Sequence, residues 1–274
     1  MTDASSCYRH SDRGTRLSCS NCGRPICVDC TIDTPVGQKC PECAQPEGRH
    51  KVITAQTLRQ GVRRAAPVTF TLLFINLGLF VLGEVDPEIG RRLFVEGAQQ
   101  VDLVRAGEWW RAATSMFLHA SLAHVGFNMW ALYLFGPALE RRYGSLPFTF
   151  LYLTAGLGGG ALYHLVGRGN PAVGASGAIF GLMGALIVTL YAQRHTPMAR
   201  AVLSQLMLLL AINLALPLVI ANIAWEAHLG GLIAGAAVAV AWDRLPVTGR
   251  EAVPRQLSVV LALMVVTVGA LLFG

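Results

Sequence analysis

Apolar residues gather in seven long runs, and polar residues keep to the ends of those runs. The runs are Val68 to Leu82, Leu122 to Leu139, Phe148 to Val166, Ala178 to Ala192, Ala201 to Ala221, Ala224 to Trp242 and Leu257 to Phe273. They lack a charged stripe at helical spacing, which marks helices that bury every face in a bilayer or a deep core. A bilayer about 30 Å thick takes about twenty helical residues, so the pattern predicts about seven crossings, several slightly short. The first fifty residues differ: they are polar and cysteine-rich, with no apolar stretch of the kind that leads a secreted chain. Three segments are expected: a small module at 1–50, a basic linker at 51–65 and an all-α polytopic membrane domain at 66–274.

Composition narrows the class. The chain has 274 residues, 53% of them hydrophobic and 14% charged, too apolar for an ordinary soluble domain. Its formal charge of +6 would suit nucleic acid. The arginines, however, stand at the ends of apolar runs, so they are read as topology signals and no nucleic-acid partner is expected. Arg59, Arg63 and Arg64 precede the first run and argue for a cytoplasmic N-terminus. Arg141 and Arg142, Arg194 and Arg200, and Arg244, Arg250 and Arg255 then fall in loops on the same side. The opposite loops hold only Arg168 near Gly169 and no Arg or Lys near Asn222. The long loop from Glu84 to Arg111 mixes both signs. Few lysines and many Arg, Ala and Gly point to a bacterial plasma membrane.

The N-terminal module reads Cys7-x-x-His10, Cys19-x-x-Cys22, Cys27-x-x-Cys30 and Cys40-x-x-Cys43. Two-residue spacers let both side chains of a pair reach one metal, and eight soft ligands suffice for two tetrahedral Zn2+ ions. A disulfide scaffold fits less well, because seven cysteines is an odd number and no secretion signal precedes them. His50 is a rival eighth ligand at a longer spacing. The ligand order resembles B-box and related cross-brace zinc fingers. That resemblance implies interleaved sites, with Cys7, His10, Cys27 and Cys30 at one and Cys19, Cys22, Cys40 and Cys43 at the other. So small a segment has little core, so metal binding would supply most of its folding energy. Its further partner would be another protein or the membrane domain.

Polar side chains inside membrane helices are costly and therefore functional suspects. His119, His124 and Asn128 open the second run, Ser176 the fourth, and Glu226 and His228 the sixth. With the N-terminus inside, all three helices run inward from the outer face, so these groups share one depth near that face. Ser176 alone is weak evidence, since most serines in apolar helices are small packing residues. Gly231-x-x-x-Gly235 and the glycines at 177, 181 and 184 offer matching close-packing faces that would bring Ser176 to His228. A neutral histidine is the usual base for a serine hydroxyl. His124 and Asn128, four apart, share a face and are expected to stabilise an oxyanion with the Ser176 amide. Glu226 lies on nearly the opposite side of its helix from His228, and Asp243 belongs at the cytoplasmic end. The reading is a Ser–His dyad without a third acid and without a catalytic cofactor. Phe180, one turn after Ser176, either packs on the His228 ring or is lipid-facing filler. His119 and Ser121 are expected to keep a polar cavity wet.

These residues resemble the rhomboid family of intramembrane serine proteases. The resemblance rests on Trp110-Arg111, on His119/His124/Asn128, on Gly174-Ala175-Ser176-Gly177 and on Ala227-His228-x-x-Gly231-x-x-x-Gly235, in order. It implies a six-helix core plus a C-terminal seventh helix, Ser176 as nucleophile, His228 as base, and transmembrane proteins as substrates within the lipid bilayer. It also implies a membrane-embedded loop around Trp110-Arg111. Phe180 stands where members often carry Tyr, and Ile223 where a glycine is frequent. A competing class is a transporter or client-binding scaffold; sparse carboxylates within the helices and the lack of an evident inverted repeat weigh against it.

Overall fold

The computed structural model describes residues 5–34, 37–44, 66–167, 170–220, 223–244 and 252–274. His50, the linker with Arg59, Arg63 and Arg64, and Arg168, Asn222 and Arg250 lie outside the described residues. The chain divides into two compact units, Met1–Leu58 and Arg59–Gly274.

The first unit is made of short pieces. Strands β1 (Ser5–Ser6) and β2 (Gly14–Thr15) pair antiparallel, as do β3 (Ile32–Thr34) and β4 (Gly37–Lys39). A 3-10 turn at Val28–Cys30 and helix α1 (Pro41–Ala44) complete it. Its buried cluster consists of Ile26 and five cysteines, Cys7, Cys19, Cys27, Cys30 and Cys40. One aliphatic side chain cannot offset the ordering of forty residues, so the cysteines must contribute by some route other than apolar burial. The surface pairs Arg13–Asp29 and Arg24–Glu42 are exposed and add little.

The second unit is helical. Its long helices are α2 (Pro67–Val85), α6 (Leu122–Tyr143), α7 (Ser145–Val166), α8 (Ser176–Ala192), α9 (Pro197–Ala215), α10 (Trp225–Arg244) and α11 (Ala252–Phe273). The first long loop folds into α3 (Pro87–Gly97), α4 (Val101–Arg105), α5 (Arg111–Thr114) and a 3-10 turn at Ser115–Phe117. Among the described residues, four helices are long and apolar enough to cross a membrane: α2, α9 with its 3-10 extension to Leu218, α10 and α11. Helices α6 and α7, at 22 residues each, also reach about 33 Å at 1.5 Å per residue. The fifth run ends earlier than its hydropathy suggests, because Pro217 removes a backbone donor and the chain tightens into a 3-10 turn at Leu216–Leu218.

Helix α8 is the centre of the unit, packed by α6, α7, α9 and α10, and nine consecutive residues from Gly177 to Ala185 are buried. Its contact with α10 is backbone on backbone. A Cβ placed at Gly231 would lie 1.9 Å from the Gly177 carbonyl oxygen, and one at Gly235 would lie 2.0 Å from that of Gly181. Only hydrogen fits there. At the end far from Ser176, polar groups tie the helices together. The Tyr143 and Thr189 hydroxyls lie 3.0 Å apart, Tyr143 meets the Trp242 ring edge to face, and Trp242 Nε1 donates to the Gln256 carbonyl at 3.0 Å. On α6, the buried Glu140 accepts from the Val68 and Thr69 amides at 2.9 and 2.8 Å and from the Thr69 and Ser145 hydroxyls at 2.8 and 2.7 Å. It thereby caps α2 with a negative charge at the helix end that favours one.

Candidate active site

Ser176 is the first residue of α8, and the loop before it is tightly specified. Gly174 has φ +126°, a backbone region that disfavours side chains. A Cβ there would also lie 2.6 Å from His124 Nε2. The Gly174 amide donates to the Ser115 carbonyl at 2.9 Å. Two residues earlier, Ala172 exchanges backbone hydrogen bonds of 3.0 and 2.8 Å with Gln99 in the first long loop. The Gln99 side chain reaches on to the Gly160 carbonyl at 2.7 Å.

The base comes from the first turn of α10. His228 Nε2 lies 2.9 Å from Ser176 Oγ, a distance set by the glycine contact between α8 and α10. Phe180 stacks on the His228 ring, with centroids 4.3 Å apart and planes 6° from parallel; it is a packing partner of the histidine and not lipid-facing filler. Among the described residues no carboxylate hydrogen-bonds His228. Glu226 is buried elsewhere, and Asp243 pairs with Arg142 at 3.2 Å at the far end.

His124 lies in the first turn of α6, capped by Ser121, whose Oγ accepts the His124 amide at 3.2 Å. The Ala120 amide points at His124 Nδ1 at 3.5 Å. Nδ1 is then the acceptor, so the proton sits on Nε2, the nitrogen beside Gly174 and Ser176. Asn128, 7% exposed, donates one amide hydrogen to the His124 carbonyl at 2.9 Å. The structure thus brings Ser176, His228 and His124 together, with Asn128 one turn along α6 from His124. Ser121 serves as a helix cap. His119 sits edge-on to His124 at 5.0 Å, and neither of its ring nitrogens has a partner among the described residues.

In the Trp110-Arg111 loop the arginine is internal. Arg111 donates Nε to Glu108 at 2.6 Å and Nη1 to the Val95 and Ala98 carbonyls at 2.8 and 3.0 Å. It fastens the loop that carries Gln99. Gln99 itself escapes sequence reading, because a lone glutamine in a mixed loop gives no spacing signal.

Among the described residues, the first unit holds two groups whose metal-ligating atoms lie within 4.8 Å of one another: Cys7, His10, Cys27 and Cys30, and Cys19, Cys22, Cys40 and Cys43. No cysteine is in a disulfide. His10 Nδ1 lies 3.4 Å from Cys27 and Cys30 Sγ and 4.0 Å from Cys7 Sγ, and Cys22 and Cys40 Sγ are 3.9 Å apart. A tetrahedron with bonds of about 2.1–2.3 Å, as zinc requires, has edges of about 3.4–3.8 Å, so the His10 separations from Cys27 and Cys30 fall in that range and the other two slightly exceed it. Burial pushes the Cys7 thiol up, but hydrogen bonds from the backbone around Arg9, Cys27 and His10 outweigh it and hold it at about 6. The Cys40 backbone holds Cys19 at about 6 against burial. Burial pushes Cys30 up to about 11, and against a lowering contact from Asn21 the neighbouring Cys40 and Cys22 push Cys43 up to about 11, so each group holds both a lowered and a raised thiol.

Residues 106–243 match the rhomboid domain family. The chain is 37% identical over 212 residues to the rhomboid protease GluP of Bacillus subtilis, covering 75% of this chain and 40% of that protein. It is 30% identical over 210 residues to the rhomboid protease AarA of Providencia stuartii, covering 66% of this chain and 74% of that one. RHOMBOID-like protein 9 of Arabidopsis thaliana is 44% identical over 92 residues, covering 34% of this chain and 21% of the relative. This chain therefore spans less than half the length of GluP and of the plant protein. The matched span, half of the sequence, runs from the Trp110-Arg111 loop through Ser176 to the helix of His228: the chain belongs to the rhomboid family.

Proposed function

We propose that this chain is an intramembrane serine endopeptidase that cuts transmembrane segments of other proteins with a Ser–His dyad. The reading is carried by the 2.9 Å Ser176–His228 pair at the mouth of an apolar helix bundle. His228 takes the Ser176 proton as Oγ attacks the scissile carbonyl, then returns it to the leaving amine. Water, deprotonated by the same imidazole, hydrolyses the acyl-enzyme. Negative charge on the carbonyl oxygen is met by His124 Nε2–H, the Asn128 amide and the Ser176 backbone N–H at the start of α8. Phe180 holds the imidazole plane in place of a third acid. Substrate helices would unwind near small or helix-breaking residues, because an intact helix hides its carbonyls.

The chain would lie in a bacterial plasma membrane with its N-terminus cytoplasmic and the serine near the outer face. The N-terminal module would hold two structural zinc ions, with no metal in the catalysis. Zinc, when bound, supplies the folding energy that the module's small core lacks. The module would present a surface to a protein partner or to the membrane domain; deleting residues 1–50 and comparing cleavage in cells with cleavage by purified protein separates recruitment from catalytic need.

Fluorophosphonate labelling of purified protein tests the central claim. Wild type should label, and Ser176→Ala and His228→Ala should not. A folded wild type that resists labelling and a second serine-directed inhibitor would overturn the dyad and favour the scaffold reading.

A further inference from the structure

Behind the loop that leads into Ser176, a cavity of about 520 Å3 opens between α7, the end of α9 and the start of α10. Its walls include Tyr163, Asn170, Ala172, Leu218, Trp225 and Glu226. The size falls in the range of sites that enclose a small ligand, about 300–1,000 Å3.

Glu226 is the unusual wall. It is 4% exposed, and among the described residues no hydrogen bond or ion pair reaches its carboxylate. Buried carboxylates are ordinarily paired. Glu226 is the second residue of α10 and lines the cavity. Tyr163 does not satisfy its carboxylate: the tyrosine hydroxyl donates to the Asn170 carbonyl. The catalytic proposal does not use Glu226 either, because it faces away from His228.

An acidic side chain in a cavity that the buried Tyr163 and the half-exposed Trp225 also line is the recognition chemistry of an organic cation. A hard divalent ion fits poorly, since it requires six or more oxygen ligands. The position ties an occupant to the reaction. Ala172 stands four residues before the nucleophile, and Glu226 two residues before the base.

Resting on the protease reading, we infer that this cavity is a specificity subsite that takes a lysine or arginine side chain of the substrate, flanking the scissile bond. Glu226 accepts the ammonium or guanidinium hydrogen bonds, and the aromatic rings cover its apolar stem.

The test uses the full chain in liposomes and a fluorogenic transmembrane substrate whose cut site is mapped by mass spectrometry. Single Lys or Arg residues are placed at successive positions on either side of the cut, each paired with a Gln control. Wild type should prefer the basic substrate at one or two positions by tenfold or more in kcat/KM. Glu226→Gln should bring that ratio near one, and Glu226→Asp should keep part of it. Ala172→Leu, which fills the cavity, should also lower the ratio. Equal ratios in wild type and Glu226→Gln, or no basic preference in wild type at any position, would overturn the subsite. The wild-type scan stands even where a variant misfolds. Fluorophosphonate labelling of the same samples separates the two claims. Protein that labels but shows no preference overturns the subsite alone; protein that neither labels nor cleaves overturns the protease reading and the subsite with it.

Discussion

Replacing Gly231 by alanine adds one methyl group, and the geometry says how far it would reach. The new Cβ would lie 1.9 Å from the Gly177 carbonyl oxygen, whereas ordinary contact begins at 3.4 Å. Both partners are helix backbone, so no side chain can swing aside. Helices α8 and α10 must part by about 1.5 Å locally. If the separation reaches the first turn of each helix, the 2.9 Å Ser176–His228 bond lengthens to about 4.4 Å, beyond hydrogen-bond reach. Losing a positioned base costs about 10²–10⁴ in rate, and overpacking costs about 1–3 kcal/mol of stability. Gly231→Ala should therefore stay folded in detergent, melt somewhat earlier, and label with fluorophosphonate at least about a hundredfold more slowly. Gly78→Ala is the control, because a Cβ there meets nothing within 4 Å; it should label like wild type. Wild-type labelling by a folded Gly231→Ala protein would refute the claim that backbone contact between these helices sets the dyad distance.

His124→Ala should lower kcat by about 10²–10³ with a smaller effect on KM, as loss of an oxyanion donor does; a pure KM effect would assign His124 to substrate binding. Glu140→Ala leaves the Val68 and Thr69 amides without their acceptor, at about 1–3 kcal/mol per buried group. It should lower the melting temperature without abolishing labelling of the remaining folded protein, and an unchanged melt would refute the capping role. Colorimetric titration should find two zinc ions per chain, falling to one in Cys22→Ser; an unchanged count would refute the assignment of Cys22. Zinc should be released as the pH is lowered, because protons compete with the metal for the cysteine thiolates; a zinc content unchanged in strong acid would count against thiolate ligation.

The residues of the candidate site were legible because each interrupts an apolar run at the same end of its helix. Ser176, His124, Asn128 and His228 stand out against leucine and alanine, and the glycine spacing at 231 and 235 announces a close partner. The Glu140 cap was hidden, since its partners Val68 and Thr69 lie some seventy residues away and look like ordinary helix-start residues. Gln99 was hidden for the same reason. Glu226 was visible as a polar intruder, but its cavity exists only once the loop before Ser176, the Pro217 turn and α10 come together. Element ends were the least legible, as α9 shows by stopping at Ala215 where hydropathy continued to Ala221.

Among its described residues, the first unit has a core made mostly of its own candidate ligands, with Ile26 the one buried aliphatic residue. A module built that way has no fixed stability to quote. With the two zinc ions proposed above as its ligands, its folded fraction would be a binding curve, set by mass action between the chain and free metal ion. Each tenfold change in free metal shifts the balance by about 1.4 kcal/mol per site, so two coupled sites convert a modest change in metal activity into a steep change in folded population. Temperature and urea would then be secondary variables, and the axis along which the module melts would be the concentration of free zinc ion.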